Sequence, residues 1–360
     1  MSTEGVKPEI RYVRLPRFLE CGFADLKEAV VEVGRCSLCG TCAAFCGWIS
    51  IKSGETATPS FEADYDVLCG LCYTLCPRVS LDVEEIERKV FERARGEEET
   101  LGVFRKAYAV RATDAKILKN AQDGGAVTAL LAFALSEGVL DCAVVTSANE
   151  AWENEVKVVN NAEELIKSAG TKYVASPSVL GVRDALDAGY ERIGFVGTPC
   201  QIQALRKVQT LDEPYRIGQE KIKLLLGLFC MEGFKPSLMD FVAKLVGDVK
   251  KVKKLEVRKG LFWIHTADGG ERVFVMKLSE LEGRAMPGCA VCTDFTAELA
   301  DVSVGSVGTP EGFSTVLVRS KLGERLVTAA TEAGYIEAKE LEELKPVVRL
   351  AERKRLRGQR

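Results

Sequence analysis

The spacing of the cysteines constrains this chain more than any other feature. Thirteen are present. One set runs Cys36-x-x-Cys39-x-x-Cys42-x-x-x-Cys46. A second runs Cys69-x-x-Cys72-x-x-x-Cys76, with Pro77 directly after it, and a pair, Cys289-x-x-Cys292, lies far downstream. Two intervening residues bring successive sulfurs onto one core, so a short run of thiolates wraps an iron-sulfur cubane. Zinc fits less well, because its sites commonly come as separated C-x-x-C pairs and the single histidine, His265, is remote from the run.

The first two sets follow the run of bacterial ferredoxins, in which three cysteines hold one 4Fe-4S cluster and the fourth reaches across to another. Crossing the ligands in that way gives a first cluster on Cys36, Cys39, Cys42 and Cys76. A second cluster takes Cys46, Cys69 and Cys72. A complete second run would begin three residues before Cys69, where Asp66 stands. A carboxylate is a harder ligand than a thiolate and holds iron less firmly in a sulfide core. Asp66 is preferred as the fourth ligand. The alternative is that it faces solvent, leaving Cys21 as the spare thiolate of this half.

The bulk properties agree with a redox protein of a reducing compartment. At 360 residues the expectation is two domains. Apolar content of 47% and charged content of 28% describe an ordinary globular chain, and a net charge of −3 gives it no pull toward nucleic acid. Met1 to Glu20 lacks the apolar stretch of a signal peptide. The longest uncharged run, Cys36 to Ile51, is too short to span a bilayer. Metal-bound thiolates in the cytoplasm are therefore expected rather than disulfides.

The chain divides once. Residues 1–81 form an iron-sulfur domain of α+β type with an N-terminal extension. Residues 82–100 follow as a charged helix, Asp82 to Arg95, stopped at Gly96, and a solvated linker through Glu97, Glu98 and Glu99. From Leu101 to about residue 345, strand-like and helix-like segments alternate, which argues for an α/β domain. Strands are expected at Lys106–Arg111, Cys142–Thr146, Arg192–Val196 and Lys221–Phe229. Helices are expected at Gly124–Glu137, from Pro199 to Leu205, and at Lys321–Ala333. A β-rich stretch covers Lys251–Arg258, Phe262–His265, Arg272–Met276 and Asp301–Val307. The end, 346–360, is basic: Arg349, Arg353, Lys354, Arg355, Arg357 and Arg360 stand against Glu352 alone. A solvated terminus is the preferred reading of it, and docking to an acidic partner or anionic lipid the sharper one.

This second half carries no G-x-G fingerprint and no P-loop. It has glycine corners instead: Gln122-Asp123-Gly124-Gly125, Gly170-Thr171-Lys172-Tyr173 and Gly197-Thr198-Pro199-Cys200. Such corners let backbone amides approach phosphate at a helix start. On spacing alone they read better as ordinary turns.

A resemblance adds to this reading. The run Ala121-Gln-Asp-Gly-Gly-Ala-Val-Thr-Ala-Leu-Leu131 resembles the beta subunit of coenzyme F-420-reducing hydrogenase. So do Gly170–Tyr173, Thr198-Pro-Cys-Gln201, Gly227-Leu-Phe-Cys-Met-Glu-Gly-Phe234, Cys289-Ala-Val-Cys292 and Ala297 to Gly308. The similarity spans roughly residues 105–345, in order. It implies a domain that binds FAD and one further 4Fe-4S cluster, held by Cys200, Cys230, Cys289 and Cys292. Gln122, Asp123, Gly124, Gly125, Thr128, Gly170, Thr171, Lys172 and Tyr173 would shape the flavin site. Lys172 is the one side chain with a candidate catalytic role, beside the flavin. Cys200 and Cys230 each follow an apolar strand, which would bring both to one sheet edge. With a ferredoxin-like front end, the chain is similar to the input subunit of archaeal F-420H2 dehydrogenase. The resemblance implies hydride transfer from F-420H2 to FAD, then single electrons through three clusters to a larger redox complex. That complex is either a membrane quinone- or phenazine-reducing one, with peripheral attachment, or a soluble one of heterodisulfide reductase or hydrogenase type. A cluster-only carrier without flavin is the alternative of a different class. Cys142 reads as core, and His265 as a strand residue.

Overall fold

In a computed structural model of the chain, residues 21–52, 54, 55, 57–63, 69–211, 217–267 and 271–359 are described. Among the described residues thirteen strands fall into three sheets. A hairpin pairs β1 (Ile49–Ile51) with β2 (Pro59–Phe61) near the front. The main sheet is built from β3 (Lys106–Ala112), β4 (Cys142–Ala148), β5 (Asn154–Val159), β6 (Ile193–Gly197) and β7 (Ile222–Leu228). A three-stranded antiparallel sheet follows, of β8 (Val252–Arg258), β9 (Leu261–Ala267) and β10 (Glu271–Lys277). The last strands, β11 (Val302–Gly305), β12 (Ser314–Val318) and β13 (Ile336–Glu340), rejoin the main sheet, whose order is β13-β3-β12-β11-β7-β6-β4-β5. Its middle, β11-β7-β6-β4, is parallel, and the flanking pairs are antiparallel.

The central strands are buried on both faces, as parallel strands must be. Alternate residues serve opposite cores. Ala143, Val145, Leu224 and Leu226 pack with the apolar helix Ala126–Ser136 and with Leu326 and Val327 of the helix Lys321–Glu332. Cys142, Val144, Ile222 and Leu225 face the other way, toward the helices Leu180–Asp187 and Pro199–Gln209. The cysteine-rich front packs onto this second face through Ala44, Leu71, Leu75 and Ile86.

Strand and helix positions expected from the sequence agree with this architecture in type, with small shifts at their ends. Five strands were not expected: β1 and β2 of the front hairpin, and β5, β12 and β13. The charged helix is shorter than expected, Val83–Phe91. Asp82 caps its start by accepting from the Glu85 amide at 2.9 Å, and Glu92 leaves the helix at φ 65°. The arginines beyond it have partners that a continued helix would not reach. Arg93 pairs with Glu99, and Arg95 bridges Glu87 and the distant Glu298. Glu99 is thus tied down rather than solvated, and Arg93 holds its carboxyl down at about 2.

The basic end is the main correction. Residues 345–358 form a helix whose Val347, Ala351 and Lys354 are buried. Val347 and Ala351 pack with Leu101, Ala107, Phe295 and Leu317, covering the face of β3 and β12 that the other helices leave open. The spacing of those three residues is a helical stripe, hidden in the sequence by the charges around it. It is a structural element of the domain, not a frayed tail.

Candidate functional site

Both front cysteine runs fold through the same turn. Gly40 in Cys39-Gly-Thr-Cys42 has φ 94°, Gly70 in Cys69-Gly-Leu-Cys72 has φ 68°, and each opens a short helix, Thr41–Ala44 and Leu71–Leu75. A left-handed residue there needs glycine. At Gly40 a Cβ would also meet the Pro177 carbonyl oxygen at 2.7 Å. Cys36, Cys39, Cys42 and Cys76 line one cavity, closed by Leu26, Val30, Ile51 and Pro59, with Arg78 at its wall. Burial pushes the Cys36 thiol up to about 12 and raises those of Cys39, Cys42 and Cys76. Cys46 and Cys72 lie in the neighbouring apolar cluster with Phe23 and Ile49. Cys69 packs on the side of Leu71. Asp66 falls outside the described residues.

The downstream cysteines are assembled by the main sheet. Cys200 is in the first turn of the helix that leaves β6, and Cys230 follows β7 directly; β6 and β7 are adjacent and parallel. Cys289 accepts from the Gly233 amide at 3.3 Å, and the Cys230 amide donates to the Phe295 carbonyl at 2.9 Å, beyond Cys292. These bonds draw two loops together over the strand ends. Burial pushes the Cys230 thiol far up, Lys354 pulls it back, and Cys289, Cys200 and Cys292 push it further by their charge. Burial likewise raises Cys289 to about 11. The four therefore stand close enough to act on one another.

The two sets adjoin. A Cβ on Gly288 would lie 2.3 Å from the Cys36 carbonyl oxygen, so the loop carrying Cys289 rests on the backbone of the first front cysteine. The Val179 amide donates to the Cys39 carbonyl at 3.2 Å. Arg78 reaches from the front to hydrogen-bond the Cys292 side chain, while its Nε is buried without a partner. None of the thirteen cysteines is joined in a disulfide. Among the described residues no three His, Cys, Asp or Glu side chains are arranged to hold a metal ion; the front sulfurs surround a cavity rather than one point. Two sets of buried sulfurs, without histidine and with a buried guanidinium between them, fit the chemistry of anionic iron-sulfur clusters.

The residues expected at a flavin site also come together. Gln122 Oε1 accepts from the Thr171 amide at 3.1 Å, and Gln122 Nε2 donates to Leu255 of β8 at 3.3 Å. Lys254 Nζ donates to the Gln122 carbonyl at 2.7 Å. The Val257 amide donates to Tyr173 Oη at 2.8 Å. Thus the corner at 122–125, the loop at 170–173 and the small sheet form one junction. Burial raises the Asp123 carboxyl, with Lys254 opposing. Gly124 has a packing reason of its own, since a Cβ there would lie 2.3 Å from the Val110 carbonyl oxygen. Thr128 is buried in the helix Ala126–Ser136. Lys172 Nζ donates to the carbonyls of Ser168, Ala169 and Gly170, and burial pushes it down to about 8. Lys254, on the small sheet, is a cation at this junction that motif reading missed; its place depends on a strand more than a hundred residues away from Gln122. Cys142 is fully buried in β4, and His265 lies in β9, 3.5 Å from Glu256.

Comparison with known proteins follows these features. Models of the coenzyme F-420 hydrogenase/dehydrogenase beta subunit match residues 107–181 for its N-terminal part and 190–344 for its C-terminal part. The chain is 44% identical to the coenzyme F-420 hydrogenase subunit beta of Methanothermobacter thermautotrophicus over 257 residues, covering 70% of this chain and 90% of that protein. It is 33% identical to an F-420H2 dehydrogenase component of Methanosarcina mazei over 312 residues, covering 82% of each. A chain from the F-420-reducing [NiFe] hydrogenase complex of Methanosarcina barkeri matches its structure with a TM-score of 0.69 at 37% identity, covering 74% of this chain and 93% of that one. The mixed α/β architecture with its strand-end site is thus that of a redox subunit. The chain belongs to the family of coenzyme F-420 hydrogenase/dehydrogenase beta subunits, whose members are components of F-420-dependent oxidoreductases. Among the described residues no helix is long and apolar enough to cross a membrane.

Proposed function

We propose that the chain is an iron-sulfur flavoprotein that oxidises F-420H2 with FAD and passes electrons singly through 4Fe-4S clusters to a partner complex. When bound, FAD supplies the exchange between two-electron and one-electron chemistry, and the clusters supply the one-electron steps. The observation that carries this reading is the meeting of the Cys36/Cys39/Cys42/Cys76 set with the Cys200/Cys230/Cys289/Cys292 set across Gly288. A front segment that merely sat beside the domain would have no reason to lay its first cysteine on the downstream loop.

In this reading the protein's own groups place and screen. The junction of Gln122, Thr171, Tyr173 and Lys254 would hold the flavin. The Lys172 ammonium stiffens the 168–172 loop through three carbonyls. Residues 1–81 act as the ferredoxin-like module and residues 101–345 as the flavin and F-420 domain, completed by the C-terminal helix. Asp66 is the proposed fourth ligand of the Cys46/Cys69/Cys72 cluster. Asp66→Cys should then suppress a 3Fe-4S signal that mild oxidation raises in the unaltered chain; a chain that never shows that signal removes the assignment. The partner is proposed to be a membrane quinone- or phenazine-reducing complex on its cytoplasmic side; the similarity to an F-420H2 dehydrogenase subunit of Methanosarcina mazei over 82% of both chains supports the F-420H2-oxidising role that such a complex needs.

The test is anaerobic purification followed by spectroscopy and donor assays. Flavin and cluster absorbance together, with viologen reduction by F-420H2 and none by NADPH, support the reading. Clusters without flavin would leave a carrier, and comparable rates with NADPH would overturn the donor assignment. Co-purification from native membranes against native cytosol separates the proposed partner from a complex of heterodisulfide reductase type.

A further inference from the structure

Three cations lie against the cysteine sets. Lys207, two turns past Cys200 on the same helix, donates from Nζ to the Cys76 carbonyl at 2.9 Å and the Ser80 carbonyl at 2.6 Å. Lys354, on the C-terminal helix and 2% exposed, donates from Nζ to the Cys230 carbonyl at 2.5 Å. On that helix's next turn Gly358 sits so close that a Cβ would be 3.0 Å from the Cys292 carbonyl carbon and oxygen. Arg78 stands between the two sets, at the wall of the front cavity and bonded to Cys292. Asp294, a carboxylate acting on Lys354, already accepts from the Glu298 amide and Gln203 Nε2. Each lysine thus spends its head group on the backbone of a candidate ligand.

Burying an ammonium or guanidinium is costly unless an anion is near. The geometry puts such cations where an anion would sit: Lys207 and Lys354 rest on the backbones of Cys76 and Cys230, and Arg78 lines the cavity of the front sulfurs. A cluster with four thiolates is an anion, and each reduction adds one electron and one negative charge with no bond made or broken. Fixed positive charge nearby favours the reduced form and raises the potential.

We propose that these three cations set the potentials of the two adjoining clusters: Lys207 acts on the Cys36/Cys39/Cys42/Cys76 cluster, Lys354 on the Cys200/Cys230/Cys289/Cys292 cluster, and Arg78 on both. They are positioning groups for electron transfer, not ligands. Arg78 has a further consequence. Being shared, it sets both potentials relative to solvent but alters the gap between them less than either lysine does. The inference rests on the cluster reading above.

The experiment is a mediator-poised redox titration of the anaerobically purified chain, followed by electron paramagnetic resonance, with iron and labile sulfide measured on each sample. Cys292→Ser assigns the downstream signal by its loss. Lys354→Gln should lower the downstream potential alone and Lys207→Gln the front potential alone. Arg78→Gln should lower both. Each shift is expected at about tenfold in the one-electron equilibrium, or about 59 mV. Lys354→Arg, Lys207→Arg and Arg78→Lys should restore most of it. Iron lost only from the neutral variants would also support a charge role. Unmoved potentials at full iron content would overturn the proposal, as would equal iron loss from neutral and charge-conserving variants, which marks a packing role. An unaltered chain with no cluster at all would instead remove the functional reading beneath it.

Discussion

Cys36, Cys39 and Cys42 are held by one glycine turn and a four-residue helix, whereas Cys200 and Cys230 follow two adjacent strands of the main sheet and Cys292 lies on a separate loop bonded to Cys230 through Phe295. The front set is close in sequence and lies in a segment with few regular elements, where Phe23, Leu26, Val30 and Ile49 make a small core. The downstream set rests on strands buried on both faces. The comparison separates two ways of placing thiols. In one, short chain closure does the work and loop entropy is small. In the other, a rigid scaffold brings distant residues to a common edge, and the thiols inherit its stability.

That difference predicts how each region fails. The largest effect should come from removing iron. Anaerobic chelation is expected to abolish amide-exchange protection in Cys36–Ala44 and Leu71–Cys76, while the strands from β3 to β7 keep theirs. Equal protection before and after chelation would show that the front core stands without metal. Next is Arg319→Met. Arg319 is 1% exposed and binds Ser303 Oγ, the carbonyls of Leu101 and Val103, and Thr296 just beyond Cys292. Its loss leaves the buried acceptors of Leu101, Val103, Ser303 and Thr296 short of a donor, at about 1–3 kcal/mol for each one left unpaired, while Glu298 keeps Arg95 and Arg355. Urea unfolding should register it, with downstream iron lost before front iron; simultaneous loss would erase the distinction drawn above.

Gly288→Ala probes the contact between the regions. The added methyl would press on the Cys36 carbonyl, and overpacking of that kind costs about 1–3 kcal/mol. Both cysteine sets should still bind iron, but electron passage between them, followed by stopped-flow absorbance, should slow. Unchanged passage would mean that the sets are not coupled at this point. The smallest effect belongs to Asp82→Ala, which removes the cap of the helix Val83–Phe91 joining front to body. A loss of about 1 kcal/mol in chemical denaturation is expected, with iron content unaltered. A drop in iron would show that the connecting helix positions the front set.

The sequence by itself carried the front. The close spacing of Cys36, Cys39 and Cys42 keeps three thiols together, the ferredoxin pattern added Cys76, and the structure has all four lining one cavity, with Gly40 and Gly70 at the turns. Alternation of apolar runs likewise exposed the α/β character and most strands of the main sheet. For the downstream cysteines, spacing offered only Cys289 and Cys292; resemblance to a family named Cys200 and Cys230. β12 escaped notice because its residues are buried on both faces and show no alternation to read. The C-terminal helix was misjudged because charge dominates its composition, while Val347, Ala351 and Lys354 gain their meaning from the surface they meet. Only the tertiary structure decided that Arg78 stands between the two cysteine sets, and that Lys207 and Lys354 each reach a cysteine carbonyl across more than a hundred residues. A lysine in a sequence looks like surface; whether its charge is buried depends on what the rest of the chain places around it, and that is a property of packing, which has no local signature.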